Sequence, residues 1–162
     1  MSGDADQEEL KYLIAYYEQK IFALALYLIG GDRNKTYDVA SSSFAETIQK
    51  SPSVKPTDSF LAAVAAKVIE KSSLVKVMPS SDEIHWVGIA DQEKGILRIV
   101  SQALQALSFD EKALVLLRDQ LNLPYRDIAM IFRTDEKDVQ AQTIQARGQL
   151  RKKVEGWTHR RG

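Results

Sequence analysis

The sequence contains no cysteine and only two histidines, His85 and His159, which stand far apart in the chain. Disulfide frameworks and thiolate metal sites are therefore excluded, and two isolated imidazoles cannot form a zinc site by themselves. The longest apolar run, residues 21–29, is much shorter than the roughly 20 residues that span a bilayer. No signal-peptide pattern opens the sequence. We expect a cytoplasmic protein that is not inserted in a membrane and binds no metal.

The sequence also lacks the motifs with which enzymes hold and transform substrates. It has no glycine-rich phosphate loop and no nucleophile motif, and its carboxylates fall mostly at helix starts and on solvent faces. We therefore expect no catalytic residue and no cofactor, and we predict that the protein is not an enzyme. Its 162 residues, 44% apolar and 27% charged, are typical of a globular protein with one compact domain or two small ones.

Apolar residues recur at helical spacing through most of the chain, which predicts an all-α fold. Three helices are expected in the first half: one that ends at residues 30–31, one that runs after Asp32 to about Lys50, and one that begins at Thr57 or Asp58. The residues predicted to form their apolar faces are Tyr17, Ile21, Leu24 and Leu28, then Tyr37, Ala40, Phe44 and Ile48, then Phe60, Leu61, Val64, Val68 and Ile69.

Turn-forming residues between the helical patterns predict two small domains, residues 1–78 and 95–162, joined by a linker at 79–94. Trp86 in this linker either packs against one of the domains or anchors a partner. In the second domain, Ser108 and Glu111 have the spacing of a capping box, which predicts a helix that buries Ala113, Leu114 and Leu117.

Residues 124–153 predict a helix-turn-helix. Ile128, Ala129 and Phe132 give a short first helix one apolar face, and the small Ala129 lets a second helix cross closely. Thr134 or Asp135 can cap the second helix. That helix buries Val139, Ala146 and Leu150 and leaves its polar side chains, Gln140, Gln142, Gln145, Arg147 and Arg151, largely off the core side, where a recognition helix meets DNA.

This stretch resembles the C-terminal promoter-binding domain of bacterial RNA polymerase sigma factors, most closely the extracytoplasmic-function class of the sigma-70 family. The residues that carry the resemblance are Leu123-Pro124-Tyr125, Asp127-Ile128-Ala129, Val139, Ala146-Arg147 and Leu150-Arg151. The sequence departs from that pattern at the turn, where Arg133 replaces a glycine, and along the second helix. There, Asp138 replaces a threonine, Gln140, Ala141 and Gln142 replace Lys-Ser-Arg, and Gln145 replaces an arginine.

The first half resembles the same family through Tyr17, Ile21, Leu26, the hairpin at residues 28–32, Asp38-Val39 and Phe44. The resemblance implies that the outward face of the second helix binds core RNA polymerase, with Asp38, Ser42 and Ser43 at the contact. In the third helix, Ala63 stands where the family has a tryptophan, and only Lys67, Lys71 and Lys76 remain of its basic stretch. Promoter melting needs an aromatic or apolar pocket and positive charge, both of which are reduced here.

For the second half, the resemblance implies that promoter DNA is the ligand and that no cofactor is needed. Glutamine can pair with adenine through two hydrogen bonds, so Gln140, Gln142 and Gln145 are the predicted base contacts. The predicted backbone contacts are Arg126, Arg133, Arg147 and Lys152. Residues 107–162 hold 11 Lys and Arg against 8 Asp and Glu, a net charge of +3, whereas residues 1–106 hold 11 against 14, a net charge of −3.

Three functions are compatible with these patterns. The first is a sigma factor that binds core polymerase and directs it to promoters. The second is a protein with the sigma fold that binds polymerase or an anti-sigma regulator without reading DNA, which the altered positions 63 and 138–145 favour. The third is a dimeric helix-turn-helix repressor, which leaves the resemblance of the first half unexplained.

Overall fold

The computed structural model describes residues 3–30, 32–50, 58–75 and 102–160, and these ranges contain helices and no strand. The predicted all-α class is confirmed. The predicted linker at 79–94, with His85 and Trp86, lies outside the described residues, as does Lys76. The helices are α1 (Gly3–Ile29), α2 (Arg33–Lys50), α3 (Asp58–Ser73), α4 (Phe109–Val115), which continues into a π-helical turn at Leu116–Gln120, α5 (Tyr125–Phe132) and α6 (Glu136–Arg160).

Helices α1 and α2 form a hairpin at the position that the two glycines predict. Gly30 has a φ of 92°, a conformation that glycine adopts without steric cost, and its N–H donates to the Leu26 carbonyl at 2.9 Å. The Asp32 carboxylate then accepts a hydrogen bond from the Lys35 N–H at 3.1 Å, which satisfies a free amide in the first turn of α2. The next chain segment therefore folds back along α1.

The face of α2 that packs in the core differs from the predicted one. Ala40 and Phe44 are buried as expected, but Tyr37 is 65% exposed and Ile48 44% exposed, so their prediction as core residues is wrong. Small residues take their places: Thr36, Val39, Ser43 and Thr47. The buried Thr36 and Thr47 hydroxyls donate to carbonyls one turn earlier, at 2.6 and 2.7 Å, so little polar cost opposes their burial.

Helix α3 completes a three-helix bundle. Its predicted face is confirmed, because Phe60, Leu61, Val64 and Val68 are buried and Ile69 is partly buried against the same core. The Phe60 ring lies between two other rings, with centroids 6.0 Å from that of Phe44 and 6.4 Å from that of Tyr17. These tilted contacts join all three helices through one aromatic cluster.

The second half begins with the predicted capping box. The Ser108 Oγ accepts from the Glu111 N–H at 3.2 Å, and the Glu111 carboxylate accepts from the Ser108 N–H at 3.3 Å. Helix α4 then widens into the π-helical turn, where the Leu121 N–H donates to the Leu116 carbonyl at 3.1 Å. Such turns are rare and are frequently found at functional sites.

The two halves pack against each other around one contiguous core. Two side chains from the second half reach the end of α1: Gln105 donates to the Tyr27 carbonyl at 3.0 Å, and the Lys112 ammonium donates to the Leu28 carbonyl at 3.2 Å. These carbonyls lie in the last turn of α1, where the helix dipole favours a cation. Whether each half also folds alone stays a prediction.

Lys112 is 5% exposed, and its burial lowers the pKa of the ammonium to about 8. The unfolded chain keeps its proton up to about pH 10.5, so between these two values it binds more protons than the folded chain. The free energy of unfolding should therefore rise with pH in this window, by roughly 1 kcal/mol between pH 8 and pH 9. Urea unfolding at the two pH values measures the rise.

The Lys112→Met variant keeps a side chain of similar length but removes the ammonium. Its free energy of unfolding should therefore not show the increase with pH that Lys112 causes. Lys137→Met, at an exposed position of α6, is the matched control and should behave as the unmodified protein does. An equal rise in Lys112→Met would show that other groups carry the pH dependence.

Candidate nucleic-acid interface and protein-binding face

The turn between α5 and α6 is tight, as predicted, although it lacks the glycine of the family pattern. Arg133 has φ 55° and ψ 48°, in the left-handed region, and the Thr134 N–H donates to the Ala129 carbonyl at 3.0 Å. A non-glycine residue adopts this conformation at a cost of roughly 1–2 kcal/mol. Helix α6 then begins at Glu136, so Asp135 occupies the capping position.

The inner face of α6 consists of small side chains. Val139, Thr143 and Ala146 are fully buried, and Leu150 is partly buried. The Thr143 hydroxyl donates to the Val139 carbonyl at 2.7 Å, so this buried threonine satisfies its polar group inside its own helix. This packing turns the rest of α6 outward over its first four turns.

Of the predicted DNA contacts, six are exposed and one is partly buried. The exposed ones are Arg126, Arg133, Gln140, Gln142, Gln145 and Lys152. Arg126 and Arg133 lie at opposite ends of α5, about 10 Å apart by the rise of the helix. Gln140 and Gln142 are separated by about 200° around the axis of α6, so they flank the outward face rather than share its centre.

Acidic side chains surround the start of α6. Asp135, Glu136 and Asp138 are all exposed, and Lys137 is the one cation among residues 135–138. Carboxylates at a helix start are stabilised by the helix dipole. The same carboxylates repel phosphates at the end of a recognition helix that approaches DNA.

Two side chains of the outward face were not predicted as contacts. Ile144 is 55% exposed, and Lys137 lies two turns earlier on the same side of the helix. An exposed isoleucine in a polar face can contact the methyl group of thymine, and an exposed lysine can contact a phosphate. A helical wheel of α6 predicts both, because Lys137 and Ile144 lie on the side of the helix opposite the buried Val139 and Ala146.

Arg147, the partly buried one of the predicted DNA contacts, is paired with an acidic residue of the protein itself. Its Nε donates to Asp119 Oδ2 at 2.8 Å, and a second guanidinium nitrogen donates to Asp119 Oδ1. The hydrogen bond to Asp119 raises the pKa of the guanidinium, so Arg147 stays charged. Asp119 belongs to the π-helical turn, and no pattern in the sequence indicates that it faces a residue 28 positions later.

The architecture is similar to that of a solved sigma factor. The sigma factor RpoE from Bartonella quintana, crystallised with the anti-sigma factor NepR, aligns with a TM-score of 0.65 over 91% of this chain and 98% of its own, at 16% sequence identity. The fold is that of a sigma factor. No family model matches the sequence, and no curated protein matches it.

On the sigma fold, the outward face of α2 holds two of the three predicted polymerase contacts. Asp38 is exposed and Ser42 is partly exposed. Ser43 is fully buried, because it follows Asp38 by five residues and so points about 140° away from it around the helix. The Ser43 hydroxyl has no hydrogen-bond partner among the described residues, and it belongs to the core rather than to the outward face.

Ala63, which stands where the family pattern has a tryptophan, lies on α3. Ala63 is exposed and lines a groove of about 310 Å³ between α3 and α5, together with Ala62, Ala66, Asp127, Met130 and Ile131. The remaining lysines are partly neutralised by Glu46: Lys71 Nζ lies 2.8 Å and Lys67 Nζ 3.7 Å from its carboxylate oxygens. The hydrogen bond from Lys71 lowers the pKa of Glu46.

Within the described ranges, no group of three or more histidine or acidic side chains could hold a metal ion. The described helices also include none that is long and apolar enough to cross a bilayer.

Proposed function

We propose that the chain is a sigma-factor-like transcription protein that binds core RNA polymerase through α2 and places α6 in the major groove of promoter DNA. The observation that carries the proposal is the sigma fold itself, which extends over both halves of the chain. A helix-turn-helix repressor needs only the second half, so the three-helix bundle of α1–α3 favours a protein with a second partner.

The outward face of α6 supports the DNA-binding part of the proposal. Gln140, Ile144 and Gln145 lie between two lysines, Lys137 and Lys152, and all five side chains are exposed. Lysines at the ends of such a face suit phosphates, while glutamine and isoleucine suit the edges of A·T pairs. The acidic start of the helix opposes binding, so we expect affinity in the range of non-specific contacts, about 10⁻⁴–10⁻⁶ M at physiological salt.

A second candidate is a protein with the sigma fold that binds polymerase or an anti-sigma regulator and does not read promoters. The acids at 135, 136 and 138 favour it, as does the engagement of Arg147 by Asp119. The similar sigma factor was crystallised with an anti-sigma factor, which supports a small protein regulator as a partner here. Purification of the tagged full chain from its own cells separates the candidates by what is recovered: polymerase with promoter DNA, or a regulator alone.

Polymerase binding can be tested at Asp38, which lies on the outward face of α2 and is not part of the core. Asp38→Arg reverses the charge at the proposed contact and should weaken binding of core polymerase at least tenfold, since like charges across an interface cost several kcal/mol. Pull-down of core polymerase by the full chain measures the loss, and circular dichroism should show unchanged helix content.

Glu18→Arg makes the same charge change at an exposed position of α1 and should retain binding. Ser43→Ala should also retain it, because the Ser43 hydroxyl is buried. Undiminished binding by a folded Asp38→Arg protein would place the polymerase contact elsewhere.

A further inference from the structure

Arg147 joins α6 to the π-helical turn of the second half. Its guanidinium donates twice to the Asp119 carboxylate in the π-helical turn. Asp119 and, less strongly, Tyr125 at the start of α5 raise the pKa of this guanidinium. The Arg118 guanidinium lies over the Tyr125 ring, 4.5 Å from its centroid, and donates to the Leu123 carbonyl at 2.9 Å. We call these four residues, Arg118, Asp119, Tyr125 and Arg147, the clamp.

The clamp constrains the rotation of α6 and not only its distance from the core. Two parallel hydrogen bonds between a guanidinium and a carboxylate fix the plane of both groups, whereas a single ion pair leaves them free to turn. The π-helical turn supplies the carboxylate from a backbone that is itself hydrogen-bonded, through the Leu121 N–H and the Leu116 carbonyl. The anchor for α6 is therefore well fixed.

Such a constraint matters because the buried seam of α6 is thin. Val139, Thr143 and Ala146 present little side-chain volume, so their packing alone specifies the rotation of the helix weakly. A rotation by one residue, about 100°, would carry Gln145 and Ile144 off the outward face. Arg147 follows these two residues by two and three positions in the same helix, so fixing its guanidinium also fixes their orientation.

We propose that Asp119 and Arg147 position the DNA-contacting face of α6, and that Arg147 does not itself contact phosphate. This inference rests on the proposed function of α6 and names a residue, Asp119, that neither the sequence patterns nor the family resemblance assigned. A phosphate contact by Arg147 would require its guanidinium to leave the bidentate carboxylate of Asp119. Lys152 has no such competitor among the ion pairs described, and it is the matched comparison.

The salt dependence of duplex binding separates the two roles. The full chain is titrated with a duplex of 20 A·T-rich base pairs at a series of salt concentrations. Arg147→Gln should weaken binding about twofold to fivefold at every concentration, as expected for an exposed ion pair, and leave the slope of log K against log salt unchanged. Lys152→Gln should reduce that slope by roughly 0.9, as expected for a lost phosphate contact.

Exchanging the charges of Asp119 and Arg147 is the decisive experiment. Asp119→Arg alone should weaken binding, although it adds positive charge, and the double variant Asp119→Arg with Arg147→Asp should restore the unmodified affinity. Hydrogen exchange of the α6 amides in the free protein should follow the same order of loss and rescue. A lower slope in Arg147→Gln, or no rescue by the swap, would overturn the inference. Absence of any duplex binding by the unmodified chain would instead overturn the proposed function.

Discussion

Phe44→Ala is expected to lower the free energy of unfolding by about 3–5 kcal/mol, the usual cost of truncating a buried phenylalanine. The ring is 8% exposed and contacts Phe60, whose ring in turn contacts Tyr17, so its removal leaves a cavity where α1, α2 and α3 meet. Helices cannot close this gap without displacing the other two rings. Urea unfolding followed by circular dichroism measures the loss.

Tyr37→Ala is the matched control on the same helix. It removes an aromatic ring of similar size from a position that is 65% exposed, so the change should stay within about 0.5 kcal/mol. The pair also decides between two assignments of the α2 face, since the sequence pattern placed both rings in the core. Equal losses of unfolding free energy in the two variants would contradict the structure, in which Phe44 faces the core and Tyr37 faces solvent.

The second large effect is expected in DNA binding. Replacing Asp138 with Thr, Gln140 with Lys and Gln142 with Arg removes one exposed acid and adds two exposed cations at the start of α6. Two new phosphate or guanine contacts should raise the affinity of the full chain for duplex DNA on the order of tenfold to a hundredfold at low salt. Each new phosphate contact should steepen the salt slope by roughly 0.9.

A charge-matched control tests whether location matters. Glu18→Thr, Gln19→Lys and Gln49→Arg make the same change in net charge at exposed positions of α1 and α2. This control should leave the salt slope within error of the unmodified protein. If it strengthens duplex binding as much as the α6 variant does, the general field of the protein attracts DNA and α6 has no special role. If the unmodified chain already binds a defined promoter at nanomolar levels, the acids must point away from DNA.

The elements that local chemistry determines were predicted well. The glycine turn after α1 and the capping box before α4 each depend on residues within four positions of one another, so the sequence contains the whole signal. The apolar stripe of α3 is equally explicit, because Phe60, Leu61, Val64 and Val68 are large and regularly spaced.

Which face of α2 packs in the core could not be predicted from local patterns. Its buried stripe contains Thr36, Ser43 and Thr47, which a hydrophobicity pattern treats as polar, while the apolar Tyr37 and Ile48 point outward. The threonine hydroxyls donate to carbonyls of their own helix or its first turn, so these residues can be buried at little polar cost. Whether they are buried then depends on how α2 packs against α1 and α3.

The candidate DNA interface was predicted in part for a related reason. The glutamines of α6 are exposed where the pattern placed them, but the role of Arg147 depends on Asp119, which is brought near by the π-helical turn. Lys112 likewise gives no local sign that it is buried, since its carbonyl partner lies 84 residues earlier. Long-range pairs of this kind are invisible to spacing rules, which describe one element at a time.

The side chains that reach the end of α1 also bear on the order in which the protein folds during synthesis. The carbonyls of Tyr27 and Leu28 leave the ribosome well before Gln105 and Lys112, which supply their hydrogen bonds. Until those residues are made, the end of α1 lacks these two hydrogen bonds, and helix ends of this kind tend to fray. We therefore expect docking of the second half to stabilise the last turn of α1, which would couple the completion of the first half to the synthesis of the second.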